Sequence, residues 1–149
     1  MSLKQKIYNH CLQVLNQKIE ELNSALNTAT ESANNETKSS AGDKHETARA
    51  MMQIEQEKLG KQLKELQDQK SELEKIDVAK ISNQIAKGTL IKTDKGFLFL
   101  SIGLGKIIVD GKTVFAISLQ SPLGSKMLGK KENDAVEMNG VQYKIETLH

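Results

Sequence analysis

The sequence is poor in the residues that build large aromatic cores or oxidised scaffolds. Its 149 residues include no Trp, two Tyr, three Phe, one Pro and one Cys. So few aromatic residues argue against a large aromatic core, and the length fits one or two small domains. Because Cys11 has no partner cysteine, no disulfide can form within the chain, and a secreted disulfide scaffold is not indicated.

Long apolar runs are also missing. No segment approaches the roughly 18 apolar residues of a membrane span, and the first residues lack the basic stretch and apolar run of a leader. The net charge of +2 argues against strong bulk attraction to nucleic acid or to a membrane. We therefore expect a cytoplasmic protein without a membrane partner.

What the sequence does have is helical periodicity over its first half. In a run from Leu3 to about Ser39, apolar residues are spaced alternately three and four positions apart, as in a heptad seam. They are Leu12, Leu15, Ile19, Leu22, Leu26, Ala29 and Ala33. A second run covers about residues 43–77, and its apolar positions are Met52, Leu59, Leu63, Leu66, Leu73 and Ile76.

Two helices joined by a short polar turn should fold back on each other as an antiparallel pair. Each helix would be about 45–55 Å long at 1.5 Å per residue. Because a lone helix pair has a thin core, oligomerisation through the same seam is the competing prediction.

The second half changes to the composition of β-strands. Residues 90–120 are rich in Ile, Val, Phe and Leu, and Asp110-Gly111 and Asn139-Gly140 are hairpin signals. A short helix is expected after Pro122, and residues 141–148 alternate as a half-buried strand. The predicted fold class is therefore α+β: a coiled-coil hairpin over 1–79 with an acidic tip at about 40–47, then a small antiparallel β-domain over 80–149 with one short helix.

Two motifs that suggest chemistry are better explained by structure. A thiol nucleophile needs a base, an oxyanion site and a pocket, but His10-Cys11 lies on the first helix close to the seam with no helix-to-strand elbow nearby, so helix packing or a surface position is favoured for Cys11. The stretch Gly103-Leu104-Gly105-Lys106 lacks the spacing of a phosphate loop, and no helix is expected after it. No second cysteine is present to support a zinc site.

The tip between the helices offers a stronger candidate. Asp43 and Glu46 have capping-box spacing, with Asp in the place of Ser or Thr, so they are suited to satisfy free N–H groups at the start of the second helix. Alternatively, two exposed carboxylates on a long stalk suit Mg²⁺, provided that a partner holds the rest of the metal's shell. Both interpretations hold together if Asp43 acts as the cap only in the free protein.

Two stretches carry a resemblance to a known family. The tip offers Gly42, Asp43, Glu46 and Ala48, and the C-terminal half offers Ser121, Pro122, Leu128, Gly129, Lys130 and Asp134. In this order, and after a helical hairpin, these residues resemble the bacterial Gre transcript cleavage and transcription elongation factors. The likeness covers residues 40–149 and is architectural over 1–39.

The resemblance implies a fold, a partner and a mechanism. The C-terminal domain would be FKBP-like, without isomerase activity, and would dock at the rim of the RNA polymerase secondary channel. The residues expected at that docking surface are Ser121, Pro122, Lys126, Leu128, Gly129, Lys130 and Lys131. The hairpin would bring Asp43 and Glu46 to a Mg²⁺ ion held mainly by the polymerase, which would then cleave the 3′ end of backtracked RNA. The chain itself would be no enzyme, with no cofactor of its own and no small-molecule substrate.

The tip departs from the family pattern in one place. Where the family continues with Asn-Ala-Glu-Tyr, this chain has Thr47-Ala48-Arg49-Ala50. A channel-binding regulator that modulates or inhibits the polymerase without cleavage is therefore an alternative. A coiled-coil adaptor unrelated to the polymerase is the second alternative.

Overall fold

The structure is a computed structural model that describes the backbone of residues 1–39 and 43–149. Side chains are described for residues 1–32, 34 and 46–149. In this part of the chain the helices are α1 (Leu3–Ser39), α2 (Asp43–Glu74) and α3 (Pro122–Met127). The strands are β1 (Leu90–Thr93), β2 (Gly96–Ser101), β3 (Gly105–Val109), β4 (Lys112–Ser118), β5 (Ala135–Met138) and β6 (Val141–Leu148). The α+β prediction is confirmed.

Helices α1 and α2 form the predicted antiparallel hairpin. Ser2 caps α1 by accepting the Gln5 N–H at 3.1 Å. Far along the pair, the Gln56 amide donates to the Thr30 hydroxyl at 3.1 Å. The second helix ends at Glu74, three residues before its predicted end, and Asp77 Oδ1 accepts the Ala79 N–H in a local turn.

The hairpin seam is buried to different depths along its length. Leu15 and Leu73 are fully buried, whereas Leu22, Leu59 and Leu66 are only half-buried. Over its middle the pair therefore shields its seam incompletely, as expected of two helices without a third layer.

The strands form one sheet in the order β3-β4-β2-β1-β6-β5. Four neighbouring pairs are antiparallel, but β2 and β4 run parallel, with Phe97 opposite Val114. The prediction of a purely antiparallel sheet is therefore wrong for this pair. The chain leaves β2, forms β3 at the edge of the sheet, and turns back as β4. Strand β4 therefore lies between β3 and β2 and runs in the same direction as β2.

Both predicted hairpin turns are confirmed. Asp110 and Gly111 join β3 to β4 with φ values of 52° and 73°. Asn139 and Gly140 join β5 to β6 with φ values of 52° and 78°. Positive φ at both central residues is the geometry of a type I′ turn, for which Asp-Gly and Asn-Gly are the favoured sequences.

Both faces of the sheet carry buried apolar side chains. One face, with Ile91, Leu98 and Ile145, forms a core with Met127 of α3 and with Ile85. The opposite face carries Leu90 and Phe99, which are paired across β1 and β2, and both of these side chains are buried.

By its internal contacts the chain divides into two compact units. Residues Met1–Leu12 and Ser71–His149 form one unit, and Gln13–Lys70 form the other. The first unit therefore contains the beginning of α1 and the end of α2, with Ile7, Cys11, Leu73 and Ile76 buried in it. The division into a hairpin domain (1–79) and a β-domain (80–149) stays a prediction, as does the FKBP-like character of the β-domain.

Candidate functional site

The acidic tip lies at the start of α2. This helix begins at Asp43, and Glu46 lies in its first turn with an exposed side chain. Positions three apart lie on the same side of a helix, so the backbone places both acidic positions on one side of its N-terminal turn. Negative charge is favoured there by the helix dipole.

Parts of the tip fall outside the described residues. Gly42 is outside them entirely, and so are the side chains of Asp43 and His45. The capping role of Asp43 therefore stays a prediction, as does metal binding by Asp43 and Glu46. In the next turn of α2, Ala48 is half-buried and Arg49 is exposed. Among the described side chains, no group of three or more His, Cys, Asp and Glu is placed to hold a metal.

The second candidate region starts at Ser121 and Pro122, where α3 begins. Ser121 is the N-cap, with extended backbone, and its hydroxyl accepts the Gly124 N–H at 3.0 Å. The same hydroxyl donates to the Ser118 carbonyl oxygen at 2.7 Å. Pro122 takes the first helical position, where its missing N–H costs no hydrogen bond. Both residues therefore have a full structural role in starting the helix.

The Leu128-Gly129-Lys130 stretch ends α3 and fixes it to a neighbouring segment. Gly129 has a φ of +82°, a conformation that glycine adopts without a side-chain clash. Its N–H donates to the Ile85 carbonyl at 2.8 Å, and the Ile85 N–H donates to the Lys130 carbonyl at 2.8 Å. These two bonds join the end of α3 to Ile85. Leu128, next to Gly129, is 48% exposed.

Three lysines surround this exposed leucine in sequence. Lys126 donates from Nζ to the Glu137 carbonyl at 2.9 Å, and the Lys131 backbone N–H donates to Asp134 Oδ2 at 2.9 Å. Lys126, Lys130 and Lys131 are all exposed. The seven predicted docking residues all lie within residues 121–131, which we call the α3 segment, and their docking role stays a prediction. Its most accessible chemistry is one apolar side chain among three cations.

The sequence prediction missed Gly124 and Ile85, which shape the α3 segment. A Cβ at Gly124 would lie 2.0 Å from the Ser118 carbonyl oxygen, so no other residue fits there without a shift. The Ser-Pro-x-Gly pattern is a usable signal for Gly124, because Ser caps, Pro begins a helix and Gly permits close approach. Ile85 has no comparable signal, since its two hydrogen bonds use only backbone groups.

Cys11 is confirmed as a packing residue. It is fully buried, and this burial raises the pKa of its thiol to about 11. A nucleophilic cysteine needs the opposite shift, because the thiolate is the reactive form. Gly103 and Leu104 lie in the link between β2 and β3, and β3 rather than a helix follows them, as expected.

Among the described helices, none is both long and apolar enough to cross a membrane.

In comparisons with known proteins, no protein-family model matches the chain. No curated protein sequence matches it. Among solved structures, it is similar to the crystal structure of GreA factor homolog 1 (Gfh1) from Thermus thermophilus. The sequence identity is 16%, the TM-score is 0.39, and the match covers 93% of this chain and 94% of that one.

Proposed function

We propose that this chain is a transcription elongation factor that binds RNA polymerase and stimulates cleavage of backtracked RNA. One observation carries the proposal. Two long helices, Leu3–Ser39 and Asp43–Glu74, are separated by only three residues, and both acidic positions lie in the first turn after this link. The sequence resemblance of the tip and of the α3 segment to Gre factors supplies the identity of the partner.

The geometry of α2 suits a probe that reaches into a narrow channel. A helix of 32 residues is about 48 Å long at 1.5 Å per residue. In the described part of the tip, Glu46 and Arg49 are exposed, so charged groups of α2 are accessible to a partner.

In this proposal Asp43 and Glu46 act on a metal that belongs to the polymerase. Carboxylate oxygens are the ligands that Mg²⁺ prefers, and Mg²⁺ usually takes one or two of them from a protein. When bound, the ion supplies Lewis-acid activation of water for phosphodiester cleavage. This chain contributes two negatively charged carboxylates at the start of α2, and these would fill positions that the polymerase leaves open in the coordination shell of the metal.

The α3 segment is the proposed docking surface. Ser121, Pro122 and Gly129 shape it, since each is explained by a cap, a helix start or a positive φ. Leu128 and the three lysines, being exposed, are the residues proposed to touch the partner. An apolar anchor inside a charged rim is a common arrangement in protein interfaces.

The test is an RNA cleavage assay. Purified protein is added with Mg²⁺ to a stalled, backtracked polymerase complex, and the length of the RNA is followed over time. The proposal predicts RNA shortened from its 3′ end faster than by polymerase alone. Binding with inhibited extension and no cleavage would favour the channel regulator. Absence of binding to purified polymerase would favour the unrelated adaptor.

A further inference from the structure

A cavity of about 660 Å³ lies in the unit formed by Met1–Leu12 and Ser71–His149. Its floor is the sheet face opposite to α3, where Lys92 of β1 pairs with Phe97 of β2 on one side and with Thr147 of β6 on the other. Its walls come from residues 2–4 at the start of α1 and from Val78, Ala79 and Ile81. The volume is within the usual range for small-molecule sites.

The titratable side chains of the lining are all basic. All lining residues are described, and they include Lys4, Lys92, Lys112 and His149 but no Asp or Glu. Lys112 holds its ammonium group 5.8 Å from the centre of the Phe97 ring. Lys92 has an acidic neighbour outside the lining, Glu146, whose Oε2 lies 3.9 Å from Nζ and whose side chain is itself partly exposed. Three cations around one concave surface favour a ligand with more than one negative charge.

Lys4 is the most unusual member of the lining. Its residue surface is only 5% exposed, and its Nζ donates to the Lys80 carbonyl at 2.9 Å. Burial lowers the pKa of Lys4, with Asp77 acting in the opposite direction. An ammonium group carries three N–H donors, and a buried cation is costly unless it is paired. An anion in the cavity would add to the compensation that Asp77 and the Lys80 carbonyl already provide.

Much of the remaining lining is apolar. Leu3 and Val78 lie in the walls and Leu90 and Phe97 in the floor, and Ile81, which also lines the cavity, has 75% of its surface exposed. Apolar walls with a few convergent polar groups are the usual make-up of a small-molecule site. We infer that this cavity binds a small organic phosphate, with the phosphate group at the lysines and an apolar body against Phe97 and Leu90.

This site is independent of the proposed polymerase role. It lies on other residues than the tip and the α3 segment. It is also compatible with the sequence-based expectation of no small-molecule substrate, because the proposed ligand is bound and does not react.

The experiment titrates the full-length protein with three matched probes: 1-naphthyl phosphate, 1-naphthol and inorganic phosphate. Calorimetry gives the affinity, and backbone amide NMR shifts locate the site. We expect 1-naphthyl phosphate to bind most tightly and to shift the amides of Leu90 and Thr147. Lys92→Gln and Lys112→Gln should each weaken it roughly tenfold, because each removes a charged hydrogen-bond donor.

Lys106→Gln is the matched control. Lys106 is an exposed lysine on β3 outside the cavity lining, so its removal changes the net charge equally and should leave the affinity unchanged. The inference is overturned if 1-naphthyl phosphate does not saturate the wild-type protein. It is also overturned if either of the other two probes binds as tightly, or if Lys106→Gln weakens binding as much as the cavity variants. The wild-type titration decides even if a variant fails to fold.

Discussion

The carbonyl oxygen of Ser118 fills the space that a side chain at Gly124 would need. A Cβ at Gly124 would stand 2.0 Å from that oxygen and 2.7 Å from the Ser121 hydroxyl. The close approach lets the Ser121 hydroxyl bond Ser118 and cap α3 at the same time. The shape of the α3 segment thus depends on this glycine.

Gly124→Ala should therefore destabilise the protein by at least about 2 kcal/mol, because the backbone of Ser118 cannot move away as a flexible side chain would. Gly60→Ala is the matched control. Gly60 lies inside α2, and nothing lies within 4 Å of the position that its Cβ would take, so alanine there should stabilise by up to about 1 kcal/mol. Urea denaturation of both variants checks the opposite signs. Equal effects of the two substitutions would contradict this account of Gly124.

Depth of burial should set the cost of shortening seam residues. Leu15→Ala and Leu73→Ala remove fully buried side chains and should each cost about 2–5 kcal/mol. Leu22→Ala and Leu59→Ala remove half-buried ones and should each cost less, about 1–2 kcal/mol. Ile54→Ala, at a largely exposed position, is the control and should change stability by no more than about 0.5 kcal/mol. Equal losses at Leu59 and Leu73 would show that the hairpin is buried in a larger assembly.

The Cys11 thiol should be inert in the folded protein. Its pKa of about 11 leaves only about one thiol in a thousand ionised at pH 8. Because the folded pKa is raised, the stability that this group contributes is present below pH 9 and is lost as pH rises toward 11. Iodoacetamide at pH 8 should label Cys11 slowly in buffer and quickly in urea. Rapid labelling of the native protein would mean that the thiol is accessible.

The α3 segment predicts separate effects on binding and on stability. Leu128→Ala and the pair Lys130→Gln with Lys131→Gln should weaken polymerase binding with little change in melting temperature, since these side chains are exposed. Ser121→Ala should instead cost about 1 kcal/mol of stability through the lost cap. The pair Lys95→Gln with Lys144→Gln, at exposed positions outside the segment, is the charge-matched control. Loss of binding in this control equal to that in the Lys130 and Lys131 pair would assign the effect to net charge alone.

Local chemistry made much of the fold predictable. The Asp110-Gly111 and Asn139-Gly140 turns depend on two residues that tolerate positive φ, so they are visible in the sequence itself. The parallel pairing of β2 with β4 was missed because strand neighbours are chosen by contacts distant in sequence. The burial of Lys4 was missed for a related reason: a lysine near a helix start is ordinarily exposed, and this one is buried where its Nζ donates to the carbonyl of Lys80, distant in the sequence.

The candidate site was predictable in part. The pattern of residues 121–131 located the α3 segment, although the structure explains Ser121 and Gly129 by backbone geometry rather than by contact with a partner. The role proposed for Asp43 and Glu46 depends on a metal held by another protein. Folding of this chain alone does not require that role, so only the resemblance suggested it.

The most direct test of the proposed function is the double variant Asp43→Asn with Glu46→Gln. It keeps the size of both side chains and removes the two negative charges that a metal would need. Polymerase affinity should stay within a few-fold, because the α3 segment is unchanged. Stimulated RNA cleavage should fall by on the order of 100-fold or more, as expected when a charged group at a reacting centre is lost. Glu55→Gln with Glu57→Gln, at exposed acidic positions further along α2, is the control and should retain cleavage. Full cleavage activity in the Asp43 and Glu46 double variant would contradict the proposal.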